Sequence, residues 1–333
     1  MSEVIVVTGA SAGLGRAIVQ RFARDGAAIG LIARGRERLE SARAEVESLG
    51  GRAIVLPLDV ADADAVEHAA ETVERELGPI DVWINNAMVS VYSPIKEMSA
   101  AEFRRVTEVT YLGYVHGTQA ALRRMMPRDR GTIVQVGSAL AYRSIPLQSA
   151  YCAAKHAVHG LTESVRVELR HDKSNVHITA VELPAVNTPQ FTWSRAKLPN
   201  QPQPVPPIFQ PEVIADAILY AAEHRRREIW LGGPAIKAIV SEKLAPRIGD
   251  MVLARSGYSG QQTDEPLRAD RPDDLYEPVA GDHGAHGEFD ARSKSFSAAW
   301  WVSKHRAALL GGALAAIAGS ALVTAVLGGS RWT

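Results

Sequence analysis

The chain has 333 residues, with 37 Lys plus Arg against 37 Asp plus Glu, a formal net charge of zero and a single cysteine. That length holds one large domain or two small ones, and the even charge balance excludes the basic signature of a nucleic-acid binder. The lone Cys152 excludes an intrachain disulfide, suits a reducing compartment and reads as a small buried apolar side chain.

The first element in chain order is the apolar run "VIVVTG", a strand over 3–8 with no basic n-region or cleavage site before it. Further short β-branched runs predict strands at 28–32, 52–57, 80–85, 131–137, 176–182 and 228–231. Longer amphipathic stretches between them predict helices at 14–25, 36–49, 62–76, 99–126, 149–172 and 211–224. This alternation predicts an α/β fold in which a parallel sheet is covered on both faces by crossover helices.

The rhythm then breaks. "LPNQPQPVPPIFQP" (198–211) is too rich in proline for helix or central strand and predicts a semi-rigid surface loop. Residues 235–254 predict an amphipathic helix interrupted at Pro246, which closes a catalytic unit spanning 1–254. Residues 255–297 are polar and acidic with few large apolar side chains, the composition of a disordered linker.

Residues 298–333 predict a membrane anchor. Within them 307–329 are 23 uncharged positions, about 34 Å as a helix and enough to cross a hydrocarbon core of ~30 Å. Trp300, Trp301 and Trp332 stand near its ends as interfacial aromatics, and Lys304, His305 and Arg306 favour a cytoplasmic amino side. The segment reads alternatively as a buried helix or a self-associating hairpin.

Between the first strand and helix, "TGASAGLG" sets Gly9, Gly13 and Gly15 where backbone must turn tightly and approach a phosphate. Ser11 and Leu14 share that turn. After the second strand "LIARGRERL" has Ala33 in the place of a ribose-binding acid and Arg34 beside it, which favours NADP(H) over NAD(H). Asp59 and Val60 end the third strand, and Asn85, Asn86 and Ala87 the fourth, so polar groups converge on one sheet edge. Ser138 ends the fifth strand, while Tyr151 and Lys155 stand four apart on one face of the next helix. An ammonium near a phenol favours phenolate and lowers its pKa, which makes Tyr151 the candidate acid/base with Ser138 anchoring the substrate oxygen.

In order and spacing, "TGASAGLG", "DV" at 59–60, "NNA" at 85–87, Ser138 and "YCAAK" resemble the single-domain type of short-chain dehydrogenase/reductase, over about residues 3–232. The resemblance implies a doubly wound Rossmann-type sheet of seven strands and NAD(P)-dependent interconversion of alcohols and carbonyls. It also implies homodimers or homotetramers paired through the helices at 99–126 and 149–172. Lys155 is then a pKa modulator and ribose binder as well. The chain departs from the family at Met88, where a glycine is usual, and at Thr110, where the family has a fourth catalytic residue, Asn, that helps hold a proton-relay water; Thr110 is the candidate for that place, through its hydroxyl or backbone carbonyl. "PAVNT" (184–188) stands where the family reads P-G-x-x-x-T, with Ala185 for glycine; Pro184, Val186 and Thr188 are expected against the nicotinamide amide and phosphates.

Phe191, Trp193 and Phe209 flank the proline-rich loop and read either as packing or as a lid over an apolar substrate. His283 and His286 lie in the presumed linker and are not expected to bind metal. Together these features predict a membrane-anchored, NADP(H)-preferring oxidoreductase for a small, lipophilic molecule, with no nucleic-acid partner. The competing reading is a cofactor-binding scaffold or redox sensor with little turnover, for which Thr110 and Met88 speak.

Overall fold

The computed structural model describes residues 2–233 and 245–309. Seven parallel strands form the central sheet: β1 (Val4–Thr8), β2 (Ala28–Ala33), β3 (Arg52–Pro57), β4 (Val82–Asn85), β5 (Thr132–Val136), β6 (His177–Glu182) and β7 (Glu228–Trp230). Their order is β7-β6-β5-β4-β1-β2-β3, with Val4 in register with Ala28 and Ile5 with Val82. The order reverses between β1 and β4. In such sheets ligands bind at that switch point, beyond the carboxyl ends of the strands.

Strand alternation sorts β1 onto two faces. Ile5 and Val7 pack into one core with α1 (Gly13–Ala23), α2 (Arg36–Ser48) and the later helix α7 (Pro211–Glu223). Val4 and Val6 pack into the other with α3 (Ala63–Glu76), α4 (Ala100–Thr107), α5 (Gly113–Met125) and α6 (Ser149–His171). α4 opens on a reciprocal cap: Ser99 Oγ accepts from the Glu102 amide at 3.2 Å and Glu102 Oε2 from the Ser99 amide at 2.7 Å. The helix expected over 99–126 is broken by a π turn at Glu108–Leu112, a distortion that periodicity does not reveal.

The stretch 255–297 is not a disordered linker. It is a strap bound across the domain. Leu275 is fully buried, Gln262–Pro266 pairs antiparallel with Asn200–Pro202, and Ser293–Lys294 pairs with Ile208–Phe209. Arg271 donates to the carbonyls of Phe191 and Ser194, and Asp282 pairs with the fully buried Arg16. Composition misses this because the strap is held by arginines on both sides meeting carbonyls and carboxylates, with little apolar area.

Helix α8 (Pro246–Ser256) begins at the proline expected to interrupt it, and the rest of that predicted helix, 235–244, falls outside the described residues. Among the described residues no helix is long and apolar enough to cross a membrane. The expected span at 307–329 lies outside the described residues beyond Leu309, as does Trp332. Trp300 is no interfacial aromatic: it is 8% exposed and meets the Tyr220 ring edge-on with centroids 5.2 Å apart. Ser297 Oγ donates to the Leu231 carbonyl at 2.6 Å and ties that segment down beside β7.

Candidate functional site

β1 turns into α1 through Gly9, at φ 71°. A Cβ there would stand 2.9 Å from Ala87 Cα, and one on Gly15 would stand 1.9 Å from the Gly9 carbonyl oxygen, so only hydrogen fits at either position. Asn86 fixes the turn from β4: its Nδ2 donates to the Thr8 carbonyl at 2.9 Å, while Thr8 Oγ1 accepts from the Asn86 amide at 2.9 Å. Backbone is thereby laid bare at the head of α1, the geometry that admits a pyrophosphate.

A cleft of about 710 Å³ runs from this turn along the carboxyl edge of the sheet. Gly9, Ser11, Gly13, Leu14, Gly15, Arg34, Asp59, Val60, Asn86, Ala87, Ser138, Tyr151, Lys155, Pro184, Val186 and Thr188 all line it. Among the expected residues Thr110 and Asn85 are not part of that lining, Asn85 being fully buried and bonded to Thr118 and Gln135. Met88, Phe191 and Trp193 also line it, whereas Phe209 is buried in the core with α1 and α7.

Ser138 leaves β5 in extended conformation, and its Oγ accepts from the Leu140 amide at 3.1 Å. Tyr151 and Lys155 come from the first two turns of α6. Burial pushes the Tyr151 phenol above its ordinary value, with Ser138 pulling the other way. The expected lowering by Lys155 is not seen, because Lys155 turns to other partners. Its Nζ donates to Tyr114 Oη at 2.9 Å and to the Val136 carbonyl at 2.7 Å, and it lies 5.7 Å from the Tyr151 ring centroid. Burial lowers Lys155 to about 7, against an upward pull from Glu182.

Thr110 is fully committed elsewhere. The π turn faces it inward, where Oγ1 donates to the Val89 carbonyl at 2.8 Å and accepts from the Val89 amide at 3.1 Å. It pins the chain after β4 and so positions the wall of the cleft.

Sequence reasoning passed over two further polar residues here. Tyr114 holds Lys155 and also donates to the Val136 carbonyl at 3.0 Å; it looks like any core aromatic on a helix. Glu182, 2% exposed at the end of β6, accepts from the Ser138 amide at 2.7 Å, and burial raises its carboxyl to about 7. An acid closing an apolar strand beside two other polar strand ends was the available signal.

At the other end of the cleft, Arg34 spends its guanidinium on the strap. It donates to the carbonyls of Asp274 at 2.5 Å and Tyr276 at 2.8 Å. Asp59 pairs with Arg105, which also donates to the Leu275 carbonyl at 3.0 Å. The Gly13 amide donates to the Gly284 carbonyl at 2.8 Å. Arg38 is different: it is 7% exposed, lies over the Trp193 ring and lines the cleft. Its Nη2 and Oδ1 of Asp274, also in the lining, are buried without a hydrogen-bond partner among the described residues. A glycine turn without side chains beside an unpaired buried guanidinium fits a phosphate-bearing dinucleotide, with the Gly13 amide already taken by Gly284.

Comparison with known proteins agrees with this geometry. Residues 3–198 match the family model described as short chain dehydrogenase. The chain is 33% identical over 283 residues to an uncharacterized oxidoreductase, YxnA, of Bacillus subtilis, covering 84% of this chain and 80% of that one. It is 29% identical to a fatty acyl-CoA reductase of Acinetobacter baylyi, over 76% of this chain and 83% of the relative. Among solved structures, an alcohol dehydrogenase from the archaeon Thermococcus sibiricus, complexed with 5-hydroxy-NADP, superposes with a TM-score of 0.61 at 30% identity. That match covers 69% of this chain and 96% of that one.

Proposed function

The chain belongs to the short-chain dehydrogenase family, and we propose that it interconverts a lipophilic alcohol and its carbonyl by hydride transfer, with NADP(H) preferred over NAD(H). The observation that carries the reading is the meeting of Ser138, Tyr151 and Lys155 in one cleft with the glycine turn.

When bound, the nicotinamide dinucleotide supplies or takes up the hydride. The turn at Gly9–Gly15, with Asp59, Val60, Asn86, Ala87, Pro184, Val186 and Thr188, holds it along the sheet edge. Ser138 donates from its hydroxyl to the substrate oxygen and keeps it in line with Tyr151. A phenol kept neutral by burial is the form that gives a proton to a carbonyl oxygen, which favours reduction as the direction to assay. Lys155, once its ammonium meets the ribose, adds positive potential beside that phenol.

The outer cleft supports a lipophilic substrate: Phe191, Trp193, Val205, Ile248 and Val252 line it, and the Acinetobacter relative is a fatty acyl-CoA reductase. The uncharged run from Ala307 supports attachment to a membrane with the catalytic domain on the cytoplasmic face. The family resemblance supports pairing of chains through α4–α6, where Leu112 and Val167 are exposed.

Purified protein given NADPH and a panel of long-chain carbonyls is expected to oxidise the cofactor. Replacing Tyr151 with Phe should cut turnover by about a hundredfold or more. Undiminished turnover in that variant overturns the assignment. A cofactor-binding scaffold is the second reading, favoured by the commitment of Thr110 to Val89; its signature is tight NADPH binding with no turnover on the panel.

A further inference from the structure

The strap lies outside the stretch that matches the family model, yet it reaches the cleft. Asp274, Pro278 and Val279 form its outer wall opposite Arg34, Gly35 and Arg38. The strap is fastened within that wall and beyond it. Leu275 is sunk into the core directly after Asp274, and Asp282 binds Arg16 and Ser41 beyond Val279, with Asp282 Oδ2 accepting from Ser41 Oγ at 2.5 Å.

Two polar groups in this wall are incomplete. Arg38 has a buried donor and Asp274 a buried acceptor, each without a partner among the described residues. A buried unpaired polar atom costs roughly 1–3 kcal/mol, more when charged, so two such atoms on residues that line one cleft signal a ligand offering both an acceptor and a donor. A ribose that carries a 2′-phosphate beside a free hydroxyl offers both. Arg34, at the position usually read for this purpose, has its donors engaged by strap carbonyls.

Resting on the dinucleotide reading above, we propose that residues 271–284 are a built-in clamp over the adenosine half of the cofactor. In it Arg38 holds the 2′-phosphate and Asp274 accepts from the adjoining ribose hydroxyl. Cofactor binding is thus shared between α2 and a segment some 240 residues later in the chain, while the choice between the two cofactors rests on α2. The guanidinium of Arg38 discriminates between the two cofactors, because only one carries the phosphate. Asp274 serves both, because the hydroxyl is common to both. Arg34 is a positioning residue that holds the strap closed.

Calorimetric titration of the full-length protein with NADP⁺ and with NAD⁺ tests this without relying on turnover. The wild type should bind NADP⁺ more tightly. Arg38→Gln should weaken NADP⁺ roughly tenfold or more and NAD⁺ by less than about threefold, as loss of a charge-assisted contact predicts. Asp274→Asn should weaken both by similar factors. Asp282→Asn, which loosens the strap from Arg16, should also weaken both. Amide exchange across 271–284 should slow on saturation with NADP⁺. Equal effects of Arg38→Gln on the two nucleotides, a neutral Asp274→Asn, a wild type that prefers NAD⁺, or unchanged strap exchange would each overturn the clamp. Tighter binding in Asp282→Asn would show the strap to be a plug. Failure of the wild type to bind either nucleotide would instead remove the dinucleotide reading on which the clamp rests.

Discussion

The Lys155 ammonium is held by the phenol oxygen of Tyr114, 2.9 Å away, on the helix that follows the π turn. A buried cation with two acceptors stays charged only as long as both remain. Tyr114→Phe removes one and leaves the Val136 carbonyl, so the Lys155 pKa should fall below its present value near 7. If catalysis needs the ammonium, the alkaline fall in kcat/KM moves to lower pH in the variant. An unshifted pH–rate profile would show that Tyr114 only fills space.

Ser138→Ala tests the substrate-oxygen anchor. The hydroxyl accepts one amide from Leu140, so folding should lose about 1 kcal/mol at most, while kcat/KM should drop by roughly ten- to a hundredfold. Thermal unfolding and steady-state rates on the same preparation separate the two effects. Activity that falls only in proportion to lost folded protein would contradict the anchor.

Glu182 makes a prediction about stability and pH. Its carboxyl is raised from 4.5 to about 7, so between those values the folded chain keeps a proton that the unfolded chain has released. Its contribution is therefore full below pH 4.5 and is lost as pH rises toward 7. Lys155, lowered from 10.5 to about 7, works the other way above neutrality, where stability recovers as pH rises. Glu182→Gln should flatten the decline between pH 5 and 7 in urea midpoints. An equally steep decline in the variant would place its source elsewhere.

Trp300→Ala asks whether the segment after the strap belongs to the folded unit. The indole is 8% exposed against Tyr220 and the core, so its loss should cost roughly 3 kcal/mol and lower the Tm by several degrees. Trp301, 45% exposed, is the control and should be nearly neutral to the same change.

A last comparison concerns the uncharged run. The full chain and a chain ending at Arg306, which keeps Ser297 and Trp300 in place, should partition differently after alkaline washing of membranes. The full chain should stay with the pellet and the shorter one should be released. Release of both would discard attachment through that run.

The sheet was legible in the sequence because each strand is a short β-branched run and each helix a longer amphipathic one. All seven strands fall within about two residues of the expected bounds, and so do the helices before 226, except that 99–126 is broken by the π turn and the short helix Gln190–Trp193 was not foreseen. The glycine turn, Ser138, Tyr151 and Lys155 were legible because tight backbone and acid–base chemistry restrict which residues serve. The strap was not, since apolar content does not register a segment held by Arg16, Arg34 and Arg271. The partner of Thr110 was not legible for a related reason: a hydroxyl in a helix does not disclose that it bonds the Val89 backbone. Trp300 misled because an aromatic near an uncharged run looks alike whether it meets lipid or protein.

Docking of Trp300 against Tyr220 also shortens the leash. Only six residues, 301–306, separate that buried indole from the start of the uncharged run at Ala307, about 9 Å along a helix at ~1.5 Å per residue. Whatever that run grips, the domain rides within a nanometre of it in a restricted attitude. Attachment through that run, as proposed above, would give the cleft a fixed mooring in place of a free radius.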